Sequence, residues 1–341
     1  MQLYCCPGCI GDAQLEIQIF PFLGATRGDC CFCGSSNVPL IEPFKLSNYF
    51  ESLIAIYEYD PNGEPLVDYL KSDWRLFDHD VMDRAHSNEL LAEILDDGDI
   101  VRQRFSPSPM YHSQGLGDWH VLRFEMLHQN RWFMDVPFDD ARLQGILTHL
   151  IARDIQPRWF RARLIGSQTP FGIEEMGAPP KHLASYGRAN PPGIPYLYLG
   201  SRPNTAVAEI RPHTGELVRV AEFELNDGLK LADFREPRKS VSPFLLDEPE
   251  LIGQLLADIP FLECLGQELT RPVLPSSSAI DYIPSQYFCE FIKKCLYDGV
   301  IYRSSVSDGI NLALFSQEDA DPKAISTYTV KDVSVEIETQ R

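Results

Sequence analysis

The chain has 341 residues, 44% of them hydrophobic and 23% charged, a composition that supports a buried core and excludes the disordered and fibrous classes. Thirty Lys plus Arg against forty-nine Asp plus Glu leave a net charge of −19, so broad capture of nucleic acid or of an anionic membrane is not expected. A small anionic ligand fits only where a local arginine cluster outweighs the global field. The length predicts two or three domains. The first residues lack a basic stretch followed by an apolar one, and no apolar run reaches the roughly 18 residues of a membrane span, so a soluble, cytoplasmic protein is expected.

Six of the nine cysteines fall within the first 33 residues. Cys6-Pro-Gly-Cys9 and Cys30-Cys-Phe-Cys33 are two Cys-x-x-Cys knuckles twenty residues apart, the spacing of a four-thiolate zinc ribbon. Each knuckle turns two sulfurs toward one metal, and two knuckles close a tetrahedron that leaves no position for water. The expected metal is therefore structural Zn2+, folding a segment (residues 1–42) too short for a core of its own. Cys5 and Cys31 adjoin the assigned ligands, so the register rests on the two-residue gaps. Cys264, Cys289 and Cys295 lie in apolar surroundings and read as core.

From 43 to 154 apolar residues recur at helical intervals: Phe50, Leu53, Ile54 and Tyr57, then Leu90, Leu91, Ile94 and Leu95, then Leu122, Met126 and Leu127. This predicts a small helical domain. Asp60-Pro-Asn-Gly63 reads as a turn and Phe105-Ser-Pro-Ser-Pro109 as a loop. Segment 136–154 reads as a connecting helix with Asp139 and Asp140 near its start. Arg123 with His128, and Arg142 with His149, resemble the Arg-x(4–6)-His element of ribonucleases with the HEPN fold, but ordinary helix-surface residues are the reading taken.

After Gln156 the texture becomes mixed, with β-rich runs at 159–165, 196–199, 217–225 and 299–302. Arg158, Arg161 and Arg163 lie on the first run, where alternation puts Arg161 and Arg163 on one face. Arg188 follows in Tyr186-Gly-Arg-Ala-Asn190-Pro-Pro-Gly193, a loop stiffened by two prolines and freed by two glycines. Tyr196-Leu-Tyr198 ends a strand, and Glu209 follows on a short helix of small residues, with a salt bridge to Arg211 as its plainer explanation. Asp281-Tyr282-Ile-Pro-Ser-Gln286 reads as a loop entering an amphipathic helix. Residues 298–305 read as a buried strand running into a turn with Ser304, and a second strand carries Asn311 and Phe315.

Taken in order, Phe160-Arg161-Ala-Arg163, Gly187-Arg188-Ala-Asn190-Pro-Pro-Gly193, Tyr198 with Glu209 eleven residues on, Tyr282-Ile-Pro-Ser-Gln286, and Gly299-Val-Ile-Tyr-Arg-Ser304-Ser305 with Asn311 and Phe315 resemble the RES domain family. The residues before them look like the HEPN/RES N-terminal region of some members. The resemblance implies a multidomain chain: a zinc ribbon, a helical domain (43–154) and an α+β catalytic domain (155–341) similar to the ADP-ribosyltransferase fold. It further implies a toxin of a toxin–antitoxin or defence system that splits NAD+ as a phosphorylase or a glycohydrolase, typically with inorganic phosphate as co-substrate to give nicotinamide and ADP-ribose-1″-phosphate, the acceptor being left open between phosphate and water. Glu209 then stabilises the ribosyl cation, Arg161 and Arg188 hold phosphates, Tyr198 bounds the nicotinamide and Ser304 completes the pocket. Arg163, Asn190, Tyr282, Gln286 and Asn311 are the implied substrate-binding residues. An antitoxin or regulatory protein is the expected partner, and self-association is compatible with this reading. Alternatives are a protein ADP-ribosyltransferase of the same fold and a nucleotide sensor without turnover. The chain departs from the family pattern at Ala189, where relatives carry an aromatic, and at Ser285, where Thr is usual. Arg158 or Arg163 competes with Arg161 for the first arginine position.

Overall fold

The computed structural model describes residues 2–111, 119–135, 138–166, 170–274 and 276–334. These fall into two compact units, Met1–Gly117 with Glu236–Leu262 and Asp118–Arg235 with Glu263–Arg341. Among the described residues no helix is long and apolar enough to cross a membrane.

In the first unit the leading knuckle is a single helical turn, Pro7–Ile10, ended by Gly11 at φ 82°. Thr26–Gly28 pairs antiparallel with Val38–Leu40, and between them Gly34, at φ 73°, donates its N–H to Cys30 O at 3.1 Å and closes the second knuckle. Helices follow at Ser47–Ile54, Leu66–Trp74 and Arg84–Leu95, burying Phe50, Leu53, Leu70, Leu90, Leu91 and Ile94. The helical expectation fails at Tyr57, which opens a strand, Tyr57–Pro65, paired with Arg104–Pro107. Tyr57 fits the helical spacing of Ile54, but its hydroxyl donates to Asp73 and accepts from the Trp74 indole, each at 3.0 Å. Contacts so distant in sequence leave no periodic signal. The turn expected at Asp60–Gly63 is an outward bulge of this strand, since the register skips from Tyr59 to Glu64 with both opposite Phe105.

The second unit is built on a seven-stranded sheet. Its strands are β1 (Arg158–Leu164), β2 (Leu197–Gly200), β3 (Leu217–Leu225), β4 (Leu231–Asp233), β5 (Gly299–Arg303), β6 (Ile310–Leu314) and β7 (Ala320–Thr329), in spatial order β7-β3-β1-β2-β6-β5-β4. Every pairing is antiparallel except β4 with β5. Its main helices are α1 (Trp119–His128), α2 (Pro203–Glu209), α3 (Pro249–Thr270), of which Glu263–Thr270 belongs to this unit, and α4 (Ile283–Lys294). The connecting helix is Asp140–Leu147, its first turn capped by the Asp139 carboxylate accepting from Arg142 N at 2.8 Å; residues 136 and 137 of that expected segment lie outside the described ones. The stretch expected as a loop before α4 is helical: Ser278–Asp281 forms one turn and α4 begins at Ile283, with Pro284 in its first turn, where a missing N–H costs nothing.

Directly opposed residues of antiparallel strands share a face, which sorts the sheet. One face carries Trp159, Leu199, Ala221, Phe223, Leu312 and Leu314, the main apolar cluster. The other carries Phe160, Ala162, Val218 and Val220, on which α2 lays Ala206, Val207 and Ile210. Helix α2 comes this close because β2 ends in Gly200, where a Cβ would stand 2.7 Å from Ala206 N. The obstructing atom is backbone, so Gly200→Ala should destabilise the chain by about 2 kcal/mol, read as a lower urea midpoint at unchanged slope.

Candidate active site

Strands β1 and β3 pair along their whole length, but β1 and β2 share a single register pair, Phe160 with Gly200. Beyond it the two strands part. The Arg161 side chain enters the gap and donates from Nη1 to Tyr198 O at 3.1 Å, standing in for the missing ladder bond. A cavity of about 240 Å³ opens at this parting, lined by Phe160, Arg161 and Ala162 of β1, Tyr198 to Gly200 of β2, Ala206, Glu209 and Ile210 around α2, and Tyr302 and Asn311 of β5 and β6.

Glu209 is at the end of α2, exposed to solvent, and its Oε1 accepts from Ser304 Oγ at 2.7 Å and from Asn311 Nδ2 at 2.6 Å. Both donors are buried. Sheet register explains the convergence: Asn311 opposes both Gly200 and Tyr302, and Ser304 follows Tyr302 by two residues. The carboxylate is thus oriented through one oxygen. Burial, with Arg163 as a secondary repulsion, lowers the Arg161 guanidinium to about 10, and its Nε is buried without a partner among the described residues. Burial also pushes the Tyr198 and Tyr302 phenols upward, keeping both neutral.

Tyr198 presents its ring to the cavity while its hydroxyl holds the 187–190 loop. It donates to Asn190 Oδ1 at 2.8 Å and accepts from Ala189 N at 2.9 Å. Asn190 Nδ2 donates to the carbonyls of Ser185, Pro191 and Ile194. Gln286 Nε2 donates to Gly187 O at 2.8 Å, and Ser285 Oγ donates to Arg188 O at 2.6 Å. Asn190 and Gln286, expected to bind substrate, are therefore taken up by the loop backbone. Gly187 has no room for a side chain, since a Cβ there would lie 2.6 Å from the Tyr198 hydroxyl.

Arg188 does not line the Glu209 cavity. Its Nη1 donates to Glu268 O at 3.2 Å and Arg271 O at 2.9 Å, Nη2 reaches Ser305 Oγ at 3.5 Å, and the guanidinium lies over the Tyr282 ring at 5.1 Å. A cation is thereby placed on the open carbonyls of the α3 C-terminus. Arg163 turns to a separate cavity of about 1070 Å³, stacked on Phe171 at 5.1 Å and donating to Gly177 O at 2.9 Å. Arg158 is largely exposed and pairs with Glu222, which leaves Arg161 as the one of the three that lines the cavity at Glu209. Arg123 is engaged by Glu268, and the His128 ring lies tilted against Phe124 with centroids 5.0 Å apart. Tyr302, absent from the expected site, is a cavity wall; its even spacing from Ser304 on a buried strand is the signal that points to it.

At the other end of the chain, the sulfurs of Cys6, Cys9, Cys30 and Cys33 all lie within 4.8 Å of one another. Cys6 to Cys9 is 3.7 Å, Cys6 to Cys33 is 3.5 Å and Cys9 to Cys30 is 3.4 Å. Cys5 instead pairs its backbone with Ile41, and the exposed Cys31 accepts from Tyr4 N. A mostly buried, four-sulfur donor set of this size suits a closed tetrahedral zinc site.

The fold and site define a mixed α/β domain with an oriented carboxylate at a split in its sheet. Residues 157–336 match the RES domain, and the chain belongs to that family. No curated protein matches the chain. Among solved structures, the crystal structure of the M. tuberculosis MbcT–MbcA toxin–antitoxin complex is similar over 55% of this chain and 92% of that chain, at 12% identity and a TM-score of 0.32, a likeness too loose to define the fold.

The Arg161 shift carries a pH signature. A guanidinium whose folded pKa lies below its unfolded value opposes folding while both states are charged, and that penalty is relieved as pH rises from about 10 toward 12.5. Relative to Arg161→Met, the wild-type chain should gain stability across that window, measured by urea unfolding at pH 9 and pH 11. A constant difference between the two proteins would contradict the buried charge.

Proposed function

We propose that the chain is an NAD+-degrading enzyme that cleaves the bond between nicotinamide and ribose. The observation that carries this reading is the Glu209 carboxylate, fixed by Ser304 and Asn311 at 2.7 and 2.6 Å beside the cavity of Tyr198 and Arg161. As the C1″–N1 bond breaks, its electron pair leaves with neutral nicotinamide and positive charge gathers on the ribose, which an adjacent oriented carboxylate stabilises most in the transition state. The Tyr198 ring bounds the nicotinamide and Arg161 meets the incoming anion. An oxygen of inorganic phosphate then bonds to C1″, giving ADP-ribose-1″-phosphate, on a catalytic domain (155–341) of the ADP-ribosyltransferase kind. Residues 335–341 of it lie outside the described ones. Asn190, Gln286 and Arg188 serve by holding the loop behind Tyr198. An enzyme that drains NAD+ inhibits growth unless restrained, so an antitoxin-like partner belongs to the reading.

Mass spectrometry of NAD+ incubated with the protein tests it. Nicotinamide should appear with ADP-ribose-1″-phosphate only when phosphate is present; free ADP-ribose in both tubes would make the enzyme a hydrolase, and label fixed on protein a transferase. Glu209→Gln should lower kcat by about 10²- to 10³-fold, and Asn311→Leu, which removes one of the two donors, by about tenfold. Intact NAD+ with the wild-type chain would end the proposal.

In the same reading residues 1–42 are a zinc ribbon, with 43–154 as a mainly helical segment that includes the Tyr57–Pro65 and Arg104–Pro107 strand pair, and Cys6, Cys9, Cys30 and Cys33 hold structural Zn2+ without a part in catalysis. Native mass spectrometry should find one zinc per chain, lost in Cys30→Ser and kept in Cys31→Ser. Equal zinc content in the two variants would overturn the assignment.

A further inference from the structure

A second cavity, of about 590 Å³, lies in the sheet-bearing unit and is lined by Trp119, His120 and Arg123 of α1, by Glu268 and Arg271 at the end of α3, and by Ser305. Its volume is that of a nucleotide-sized site. Trp119, His120 and Arg123 precede the RES match at 157–336, so this wall is supplied by chain outside the family domain. The adjacent Ser304 bonds Glu209 while Ser305 reaches Arg188. Ser304 thus holds the carboxylate that lines the first cavity, while its neighbour Ser305, about 3.8 Å on at Cα, lines the second.

The charges here oppose those of the whole chain. Arg123 and Arg271 pair with the Glu268 and Asp281 carboxylates, and Arg188 beside them donates to the backbone carbonyls of Glu268 and Arg271, so three cations stand against two carboxylates. Glu268 is only 6% exposed and binds Arg123 Nε at 2.7 Å through one oxygen and Arg271 Nε at 2.9 Å through the other. This fixes two guanidinium forks side by side. Each fork has five N–H groups; among the described residues hydrogen bonds take one from Arg123 and two from Arg271, the second going to Asp281 O, and the Nη2 atoms of Arg123 and Arg271 stand 3.6 and 3.7 Å from Asp281 Oδ1. The remaining donors suit phosphate oxygens.

We propose that this cavity binds the nucleoside-diphosphate half of the dinucleotide, with Arg123 and Arg271 on the phosphates, while the ribose to be cleaved lies at Glu209 across the Ser304–Ser305 turn. The assignment rests on the NAD+ reading for its ligand. It makes α1 part of the substrate site, so that a segment outside the RES domain selects dinucleotides over shorter nicotinamide compounds.

Cys264 lines the same cavity and reports on it without any substitution. With the full-length protein and ADP as ligand, alkylation of the Cys264 peptide, followed by mass spectrometry, should slow about tenfold near saturation, and Arg271→Gln should need at least about tenfold more ADP for the same protection. Unchanged alkylation of the wild-type chain at millimolar ADP would overturn the proposal, as would equal protection by inorganic phosphate alone. If NAD+ is cleaved but Cys264 is unprotected, this assignment fails and the catalytic one stands. If ADP protects Cys264 but NAD+ stays intact, the binding site stands and the proposed reaction fails.

Discussion

Strands β1 and β2 meet at one residue pair and then separate, and the chemistry of the second unit depends on that separation. A sheet that stayed paired would close the cavity with backbone hydrogen bonds. Here the Arg161 guanidinium takes the Tyr198 carbonyl in place of the absent partner, which gives that acceptor a donor and carries a cation into the gap. Both neighbouring pairings are extensive, β1 with β3 and β2 with β6, so the split is held open from two sides. The desolvation of Arg161 is the counterpart of that arrangement: a buried cation is costly alone and well suited to an anion.

Around the split, the polar side chains divide into two kinds of work. Ser304 and Asn311 orient a carboxylate that solvent can reach. Asn190, Gln286 and Ser285 bind main-chain atoms of the 185–194 loop, and the Tyr198 hydroxyl joins them. Buried polar networks that are fully satisfied specify one loop conformation, and the ring of Tyr198 inherits its position from that loop. Arg188 extends the same scheme to the α3 C-terminus. Its donors are committed to carbonyls of Glu268 and Arg271, which ties the loop to the residues that gather the second arginine cluster.

Much of this is legible in the sequence. The four cysteines of the cluster follow from two-residue gaps, because a knuckle is a local turn and local turns are written locally. The strands at 158–164, 197–200, 217–225 and 299–303, the helix after Tyr198 and the carboxylate at its end are also readable from pattern. Tyr57 escapes such a reading because its hydrogen bonds to Asp73 and Trp74 leave no trace in the residues around it. The 281–286 segment has the look of a loop because proline usually breaks a helix, whereas Pro284 sits in the first turn of α4, where it is tolerated.

The amino-acid order by itself determined which side chains were available: thiols paired at knuckle spacing, arginines on a strand, a glutamate eleven residues after a tyrosine, and the family to which residues 157–336 belong. It did not determine which arginine faces which cavity. Arg161 and Arg163 share one strand face, yet Arg161 turns into the β1–β2 gap and Arg163 to Phe171. Arg188, written among catalytic-looking neighbours, is engaged some eighty residues away, and Arg123 joins Glu268 across 145 residues. Those choices were made by tertiary packing alone, since side-chain direction depends on register and on partners distant in sequence, and neither is encoded in local spacing.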